Sequence, residues 1–326
     1  MNPVRAFHRS LPGYSPTPLV EARRTAGRLG VGHLWIKDEG RRFDLGAYKI
    51  LGASWAARCG LNRLGEDASG VEMVAASEGN HGRAVARAAR WLGSTARIYI
   101  PSTAAEWRIE RTRAEQAAVA LVDGDYDEAV RLAAAYAGQA GRLFVSDTAL
   151  RGDEPSPRDV VDGYSTLFAE IDEQLAANGQ GQPDMAVVQM GVGALAAAAV
   201  HHYSIPGRRA RVVGVEPVGC DCIGRSVAAG RPIETAGPYD RRMAGLNCGR
   251  VSMTAWPVLR DGLGGCVPIS PDRAVEAAAW LAEDGVLATP TGAAGLAGLI
   301  ELRAELRGLE SVLAIATEGD PGPGRR

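Results

Sequence analysis

Short apolar runs alternate with helix-like segments along most of this chain. The strand-like runs occupy residues 71–76, 96–100, 119–122, 143–145, 186–190, 211–216 and 311–316. The helical patterns cover residues 82–92, 104–117, 127–140 and 160–177. Strands that alternate with helices are typical of a parallel sheet covered by helices. The pattern therefore predicts an α/β protein.

The alternation stops and then starts again near the middle of the chain. A break at Pro155-Ser156-Pro157 separates the two series, and no repeat at a solenoid period is evident. A chain of 326 residues is also long enough for two domains, at about 150 residues per domain. Two parallel-sheet α/β units are therefore the expected architecture.

Composition and charge exclude several classes of function. The formal net charge is −2 and like charges are not clustered, so a nucleic-acid partner is not expected. The N-terminus lacks the apolar core of a signal peptide, and no run of about 18 apolar residues offers a membrane span. Five cysteines, without the spacing of a zinc site, indicate neither a disulfide scaffold nor a bound metal. We therefore expect a cytoplasmic protein that acts on small molecules.

Lysine is almost absent from this chain, and its two occurrences are therefore informative. The 36 basic residues include only two lysines, Lys37 and Lys49. Only lysine, and not arginine, loses its proton readily enough to attack a carbonyl carbon as an amine. Lys37 precedes Asp38 and Glu39 at the end of an apolar run, which indicates an ion-pairing role. Lys49 lies among small residues that open a helical pattern, which favours Schiff-base chemistry.

Two glycine-containing turns follow predicted strands and precede predicted helices. They span residues 77–82 and 191–195. Free backbone N–H groups and the helix dipole favour anions at such turns, although both are also explained as ordinary tight connections. In the second turn, Gly191, Gly193 and Ala196 match G-x-G-x-x-A, with Glu216 at the end of the next strand. A nicotinamide-dependent dehydrogenase is therefore an alternative, but it leaves Lys49 unexplained.

Five short motifs follow one another along the chain: residues 47–52 (AYKILG), 77–82 (SEGNHG), 191–194 (GVGA), 243–249 (MAGLNCG) and 317–320 (TEGD). This ordered set resembles the diaminopropionate ammonia-lyases, which are pyridoxal-phosphate enzymes of fold type II, the tryptophan-synthase β-like fold. The resemblance implies a homodimer and a cofactor cleft between two α/β domains. Residues 1–45 and 155–326 would form the large domain, and residues 46–154 the small one.

The resemblance also implies a role for individual residues at the cofactor. Lys49 would form the Schiff base with pyridoxal 5'-phosphate, Asn80 would bind the ring hydroxyl oxygen, and Thr317 would be the hydroxyl partner of the pyridine nitrogen. The phosphate would be held by the backbone of Gly191, Val192, Gly193 and Ala194.

The reaction that the resemblance implies is a β-elimination that yields aminoacrylate and then a keto acid and ammonia. An amine leaves poorly unless it is protonated, so two carboxylates, Glu78 and Asp147, would share the base and acid roles. Each of the two is also explained as a helix cap or a turn-closing residue. Alternatives within the fold are β-replacement or dehydratase chemistry on serine-, threonine- or cysteine-like amino acids, and a non-catalytic cofactor-binding relative.

Some positions depart from the family pattern. Glu78 stands where the family usually has aspartate, and Ala293 stands where it usually has glutamate. Both departures bear on the choice of substrate. Cys222 and Cys248 lie in family-like segments and are expected to be buried thiols, with proximity between them left open. His81 is the only histidine that we expect near the site.

Overall fold

The computed structural model describes residues 2–65, 67–77, 79–149, 151–152, 154–208 and 210–319. The strands are β1 (Leu19–Glu21), β2 (His33–Asp38), β3 (Glu72–Ala76), β4 (Thr95–Pro101), β5 (Ala118–Val122), β6 (Arg142–Phe144), β7 (Met185–Gln189), β8 (Arg211–Pro217), β9 (Gly265–Ile269) and β10 (Ser311–Ala316).

At least one helix lies between each of these strands and the next. They are α1 (Pro3–Ser10), α2 (Arg23–Leu29), α3 (Lys49–Leu64), α4 (Asn80–Leu92), α5 (Glu106–Ala114), α6 (Tyr126–Ala137), α7 (Pro155–Gly163), α8 (Ser165–Ala177), α9 (Ala194–Tyr203), α10 (Cys222–Ala229), α11 (Trp256–Gly262), α12 (Pro271–Glu283) and α13 (Pro290–Glu301). Among the described residues, no helix is both long and apolar enough to cross a membrane.

The strands form two sheets, which confirms the predicted α/β architecture. One sheet has the order β1-β2-β10-β7-β8-β9, and the other has the order β5-β4-β3-β6. Every neighbouring pair is parallel except β1 with β2. All residues of β7 and β10 are buried, because helices cover both faces of a parallel sheet. The larger sheet takes its strands from both ends of the chain. The domain limits at residues 45/46 and 154/155 stay a prediction.

The predicted strands are present, but the helix predicted over residues 160–177 is wrong. This segment forms two helices, α7 and α8. Helix α7 begins at Pro155, because proline fits the first turn of a helix. The pattern also did not indicate β9. That strand lies at the edge of its sheet and contains Pro268, which weakens its strand signal.

Helices α3 and α7 approach each other at two glycines. A Cβ atom on Gly163 would lie 2.6 Å from the carbonyl oxygen of Leu51, and one on Gly52 would lie 2.7 Å from the side chains of Val160 and Tyr164. Only glycine permits this distance between the helices. Because Lys49 is the first residue of α3, this contact fixes the position of the helix end that carries it.

We expect Gly163→Ala to destabilise the protein by about 1–3 kcal/mol, since the new methyl group meets a backbone oxygen that cannot move aside. Gly27→Ala is the matched control. Gly27 lies inside α2 with nothing within 4 Å of an added Cβ, so the change should stabilise by about 0.5–1 kcal/mol. Urea unfolding of both variants measures the difference. Equal stabilities would contradict the close-packing argument.

Candidate active site

A cavity lies where the carboxyl ends of strands from both sheets meet. Ser77 follows β3, Met190 follows β7 and Thr317 follows β10, and all three line its wall. Ligands of open α/β sheets bind at this end of the strands. The position of the cavity thus marks it as the candidate active site.

Lys49 reaches into this cavity from the first position of α3. Its Nζ atom donates a hydrogen bond to Oδ2 of Asp147 at 2.7 Å. The side chain of Lys49 is 19% exposed and that of Asp147 is 7% exposed. The pair is therefore largely shielded from solvent but remains accessible from the cavity. Nζ also lies 5.5 Å from the ring centroid of Tyr48. The amine is therefore held in one place by a carboxylate and an aromatic ring.

Each member of this pair stabilises the charged form of the other. Burial opposes the charge on Lys49, but Asp147 and the neighbouring Tyr48 and Tyr164 raise the pKa of the amine well above its usual value. Burial likewise opposes the charge on Asp147, but the ammonium group of Lys49 and its hydrogen bond hold the pKa of this carboxyl below the usual range. Lys49 must pass a proton to an acceptor before it acts as a nucleophile, and Oδ2 of Asp147 is in contact with it.

The expectation that His81 lies near the site agrees with the structure. Its Nε2 atom lies 3.0 Å from the carbonyl oxygen of Val145, which only accepts, so Nε2 carries the hydrogen. Its Nδ1 atom is then an acceptor, 3.8 Å from Oδ2 of Asp147 and without a hydrogen-bond partner among the described residues. Burial lowers the pKa of His81, which favours this neutral form.

Among the described residues, no turn is closed by a hydrogen bond to the carboxylate of Asp147. The hydroxyl of Ser146, and not the carboxylate of Asp147, accepts the hydrogen bond from the backbone N–H of Thr148 that closes this turn, at 3.2 Å. The carboxylate of Asp147 is directed to Lys49 instead.

The first glycine-containing turn supplies Asn80, the first residue of α4, to the cavity wall. Its turn is held by the hydroxyl of Ser77, which accepts a hydrogen bond from Gly79 N at 2.9 Å. A Cβ atom on Gly79 would lie 2.6 Å from Nη1 of Arg108, so this guanidinium lies directly against the turn. Glu78, the second predicted catalytic carboxylate, lies outside the described residues.

The second turn, Gly191-Val192-Gly193, leads from β7 into α9, which begins at Ala194. Gly193 has a φ of 98°, and a Cβ there would lie 2.5 Å from Leu259. Both observations require glycine. The carbonyl oxygen of Val192 accepts a hydrogen bond from Ser252 N, while the backbone N–H groups of residues 192–194 have no backbone acceptor among the described residues. These N–H groups and the helix dipole suit a phosphate.

Thr317 follows the last strand and is 3% exposed. Its Oγ1 atom lies 2.7 Å from Nε2 of Gln189. The geometry therefore brings the amine of Lys49, the amide of Asn80, the hydroxyl of Thr317 and the anion-binding turn to one cavity. This set fits pyridoxal phosphate, whose aldehyde, ring hydroxyl, ring nitrogen and phosphate require these four kinds of group.

Two other sequence-based readings have clear outcomes. Lys37 is an ion-pairing residue, as predicted, but its partner is Glu170, at 2.8 Å, and both side chains are fully buried. Glu216 does not face the Gly191 turn. Its carboxylate accepts hydrogen bonds from the N–H groups of Ile223 at 2.9 Å and Gly224 at 2.8 Å, at the start of α10. Burial raises the pKa of Glu216 to about 7.

The five cysteines are unbridged thiols; Cys222 is buried, as expected, whereas Cys248 is only partly buried, which departs from the expectation. Burial, followed by the charge of Glu216, raises the pKa of the Cys222 thiol. Cys248 lines the cavity beside Gly191, where an added Cβ would lie 3.1 Å from its sulfur.

Ala293 is buried in the core of the larger sheet and does not line the cavity. Sequence reasoning missed a carboxylate that does, Glu318, which forms a 3.4 Å ion pair with Arg108 across the cavity. It also missed Gln189, a polar residue within an apolar run, which was the available signal.

Comparison with known proteins places the chain in a family. Residues 11–318 match the family described as pyridoxal-phosphate dependent enzymes. The diaminopropionate ammonia-lyase of Salmonella typhimurium is 33% identical over 98% of this chain and 89% of that protein. The Escherichia coli diaminopropionate ammonia lyase, solved in complex with an aminoacrylate-PLP azomethine reaction intermediate, has a TM-score of 0.88 and 32% identity, covering 97% of this chain and 88% of that one.

A second type of activity occurs among the similar structures. A threonine deaminase from T.th. has a TM-score of 0.83 and 27% identity, and the match covers 98% of this chain and 97% of that one. The family match sets aside the nicotinamide-dependent dehydrogenase and confirms the predicted cofactor class. This chain belongs to the pyridoxal-phosphate-dependent enzymes of fold type II and, among them, to the diaminopropionate ammonia-lyase family.

Proposed function

We propose that this protein catalyses β-elimination from a 2,3-diaminopropionate-like amino acid, with a 2-keto acid and ammonia as final products. The observation that carries this proposal is the 2.7 Å contact between Lys49 Nζ and Asp147 Oδ2 in the cofactor cavity. An amine nucleophile paired with a carboxylate proton acceptor is the arrangement that cofactor attachment and proton transfer both require.

The cofactor would supply an electron sink for the negative charge that forms at Cα of the amino acid. Lys49 would bind it covalently, Asn80 would hold its ring hydroxyl, and Thr317 would contact its ring nitrogen. The phosphate would lie on the N–H groups of residues 191–194, where the described residues leave the backbone donors without a backbone acceptor.

Proton transfer by the protein would centre on Asp147. Its Oδ2 atom is close enough to Lys49 Nζ to accept the proton that the amine must lose. The same carboxyl, once protonated, would donate to the leaving amine, because an amine departs poorly without a proton. His81 Nδ1, at 3.8 Å from Oδ2, is an acceptor that suits the protonated form of Asp147. Glu78 is proposed as the second acid or base.

The close alternative is elimination or replacement of an oxygen substituent from a serine- or threonine-like amino acid. One observation favours it. The chain is similar in structure to a threonine deaminase from T.th., with a TM-score of 0.83 and 27% identity.

Turnover of matched substrates decides between these activities. The assay compares both enantiomers of 2,3-diaminopropionate with serine, threonine and O-acetylserine, and it measures keto acid and ammonia separately. The proposal predicts the highest kcat/KM for a diaminopropionate enantiomer. A higher value for O-acetylserine or threonine would establish the alternative. Release of neither keto acid nor ammonia from any of them, together with no loss of acetate from O-acetylserine, would reject both.

We also propose a homodimer in the cytoplasm. The family resemblance supports the dimer, and the five unbridged cysteines agree with a reducing compartment. Light scattering of the purified protein tests the dimer.

A further inference from the structure

Gln189 is a polar residue at the end of an otherwise apolar buried strand. It is the last residue of β7, is 3% exposed and lines the cavity. Its Oε1 atom is buried and has no hydrogen-bond partner among the described residues. An unsatisfied buried acceptor destabilises a fold, so stability alone does not explain why an amide stands here.

The orientation of the Gln189 amide follows from its neighbours. Nε2 lies 2.9 Å from the carbonyl oxygen of Gly292 and 3.0 Å from that of Ile315. A carbonyl oxygen only accepts, so the atom that faces both must be the NH₂ group and not the amide oxygen. The two backbone carbonyls thereby remove the usual uncertainty between nitrogen and oxygen in a glutamine side chain.

This orientation restricts the hydroxyl of Thr317. Oγ1 of Thr317 lies 2.7 Å from Nε2 of Gln189. An amide nitrogen is a donor only, so Thr317 cannot donate its hydrogen to Gln189. No described residue accepts a hydrogen bond from Oγ1 of Thr317, and the residue lines the cavity. The NH₂ group has two hydrogens for three acceptors within 3.0 Å, so these hydrogen bonds are shared, and the hydrogen of the Thr317 hydroxyl is available to a ligand.

We propose that Gln189 is a positioning residue that keeps the hydroxyl of Thr317 a hydrogen-bond donor towards the ring nitrogen of the cofactor. The inference rests on the proposed placement of Thr317 at that nitrogen. A hydroxyl that donates a hydrogen bond to the ring nitrogen requires a lone pair on that nitrogen. Gln189 therefore acts through Thr317 to keep the ring nitrogen unprotonated. An unprotonated ring withdraws electrons less strongly, which favours rapid loss of a β-substituent over reactions that need a long-lived carbanion.

The test uses the holoenzyme reconstituted with ¹⁵N-labelled pyridoxal phosphate, and it reads the ring-nitrogen resonance and the absorbance spectrum against pH. The variant is Gln189→Met, which is similar in size and uncharged. Without the amide, Thr317 is free to donate to the vacated carbonyls of Gly292 and Ile315 and to accept from a protonated nitrogen. We expect the ratio of protonated to unprotonated nitrogen to rise about tenfold, the change that corresponds to one pKa unit.

A double-mutant cycle separates positioning from a structural effect. In a Thr317→Val background, Gln189→Met should leave the resonance unchanged, whereas in a Thr317→Ser background it should act as in the wild type. Gln189→Asn, which is too short to reach Thr317 but keeps an amide, is the second variant should Gln189→Met fold poorly. Thermal unfolding without cofactor reports any loss of stability separately.

Two results would overturn the inference. One is an unchanged resonance in Gln189→Met and Gln189→Asn, and the other is an equal change with and without the Thr317 hydroxyl. A wild-type enzyme that fails to release ammonia from diaminopropionate, but whose ring nitrogen responds to Gln189 through Thr317, would reject the proposed substrate and leave the positioning role standing.

Discussion

Replacing Lys49 by alanine is expected to abolish covalent attachment of the cofactor and to lower turnover by at least about three orders of magnitude. The reason is chemical, since no second amine lies in the described part of the cavity wall. Lys37, the other lysine of the chain, is fully buried in a charge cluster with Glu170. It therefore cannot substitute for Lys49.

Lys49→Arg is the matched control for the charge. Arginine keeps a cation that can pair with Asp147, so the fold around the pair should be retained. Arginine cannot lose its proton at an accessible pH, so it should attach no cofactor. Comparable thermal stability together with lost activity in this variant would separate amine chemistry from the ion pair.

The measurement is borohydride reduction of the holoenzyme followed by peptide mapping. The pyridoxyl adduct should appear on the peptide that contains Lys49 and be absent from the peptide that contains Lys37. An adduct on Lys37 alone, or substantial turnover by Lys49→Ala, would show that the site has been assigned to the wrong lysine.

The assignment of segments to strands or helices could be predicted from the sequence, because it depends on local patterns of apolar and polar residues. Runs such as residues 186–190 and 311–316 are apolar throughout most of their length, and a strand buried on both faces needs that composition. The separation of α7 from α8 could not be predicted in this way. It accompanies the close approach of Gly163 to Leu51, a contact between segments more than a hundred residues apart.

The same distinction applies to the site. Lys49 and the turn at Gly191 were recognisable because their chemistry shows in short stretches of sequence, as a rare amine and as glycines before a helix. The Arg108–Glu318 pair was not recognisable, because its members belong to different sheet units and meet only across the cavity. Gln189 became informative only when the carbonyls of two distant segments fixed its amide.

The second large effect is expected at Asp147. Asp147→Asn should keep the fold and the cofactor and lower turnover by about two to four orders of magnitude, the scale of a lost acid or base. Asparagine has nearly the same shape but cannot accept the proton of Lys49. A purely structural residue at this position would change stability and leave turnover nearly unaltered.

The pH dependence of cofactor attachment supplies an independent readout. Asp147 raises the pKa of Lys49 in the wild type, whereas burial lowers it. Removing the carboxylate leaves burial to dominate, so the pKa of Lys49 should fall and attachment to the apoprotein should proceed at lower pH. The pKa of Asp147 is itself depressed, so its charge and its support for the folded state persist from neutral pH to below its usual range and are lost only as the pH falls further.

Deuterium exchange at Cα then separates the roles of Asp147 and Glu78. We expect Asp147→Asn to lose exchange for at least one enantiomer of the substrate and to shift the pH of cofactor attachment, because Asp147 contacts Lys49, and we expect Glu78→Gln to affect exchange or ammonia release. Each enantiomer is measured with both variants in deuterated buffer. Unaltered exchange in both variants would leave Lys49 as the sole base, and the contact at Asp147 would then serve only to hold the amine in place.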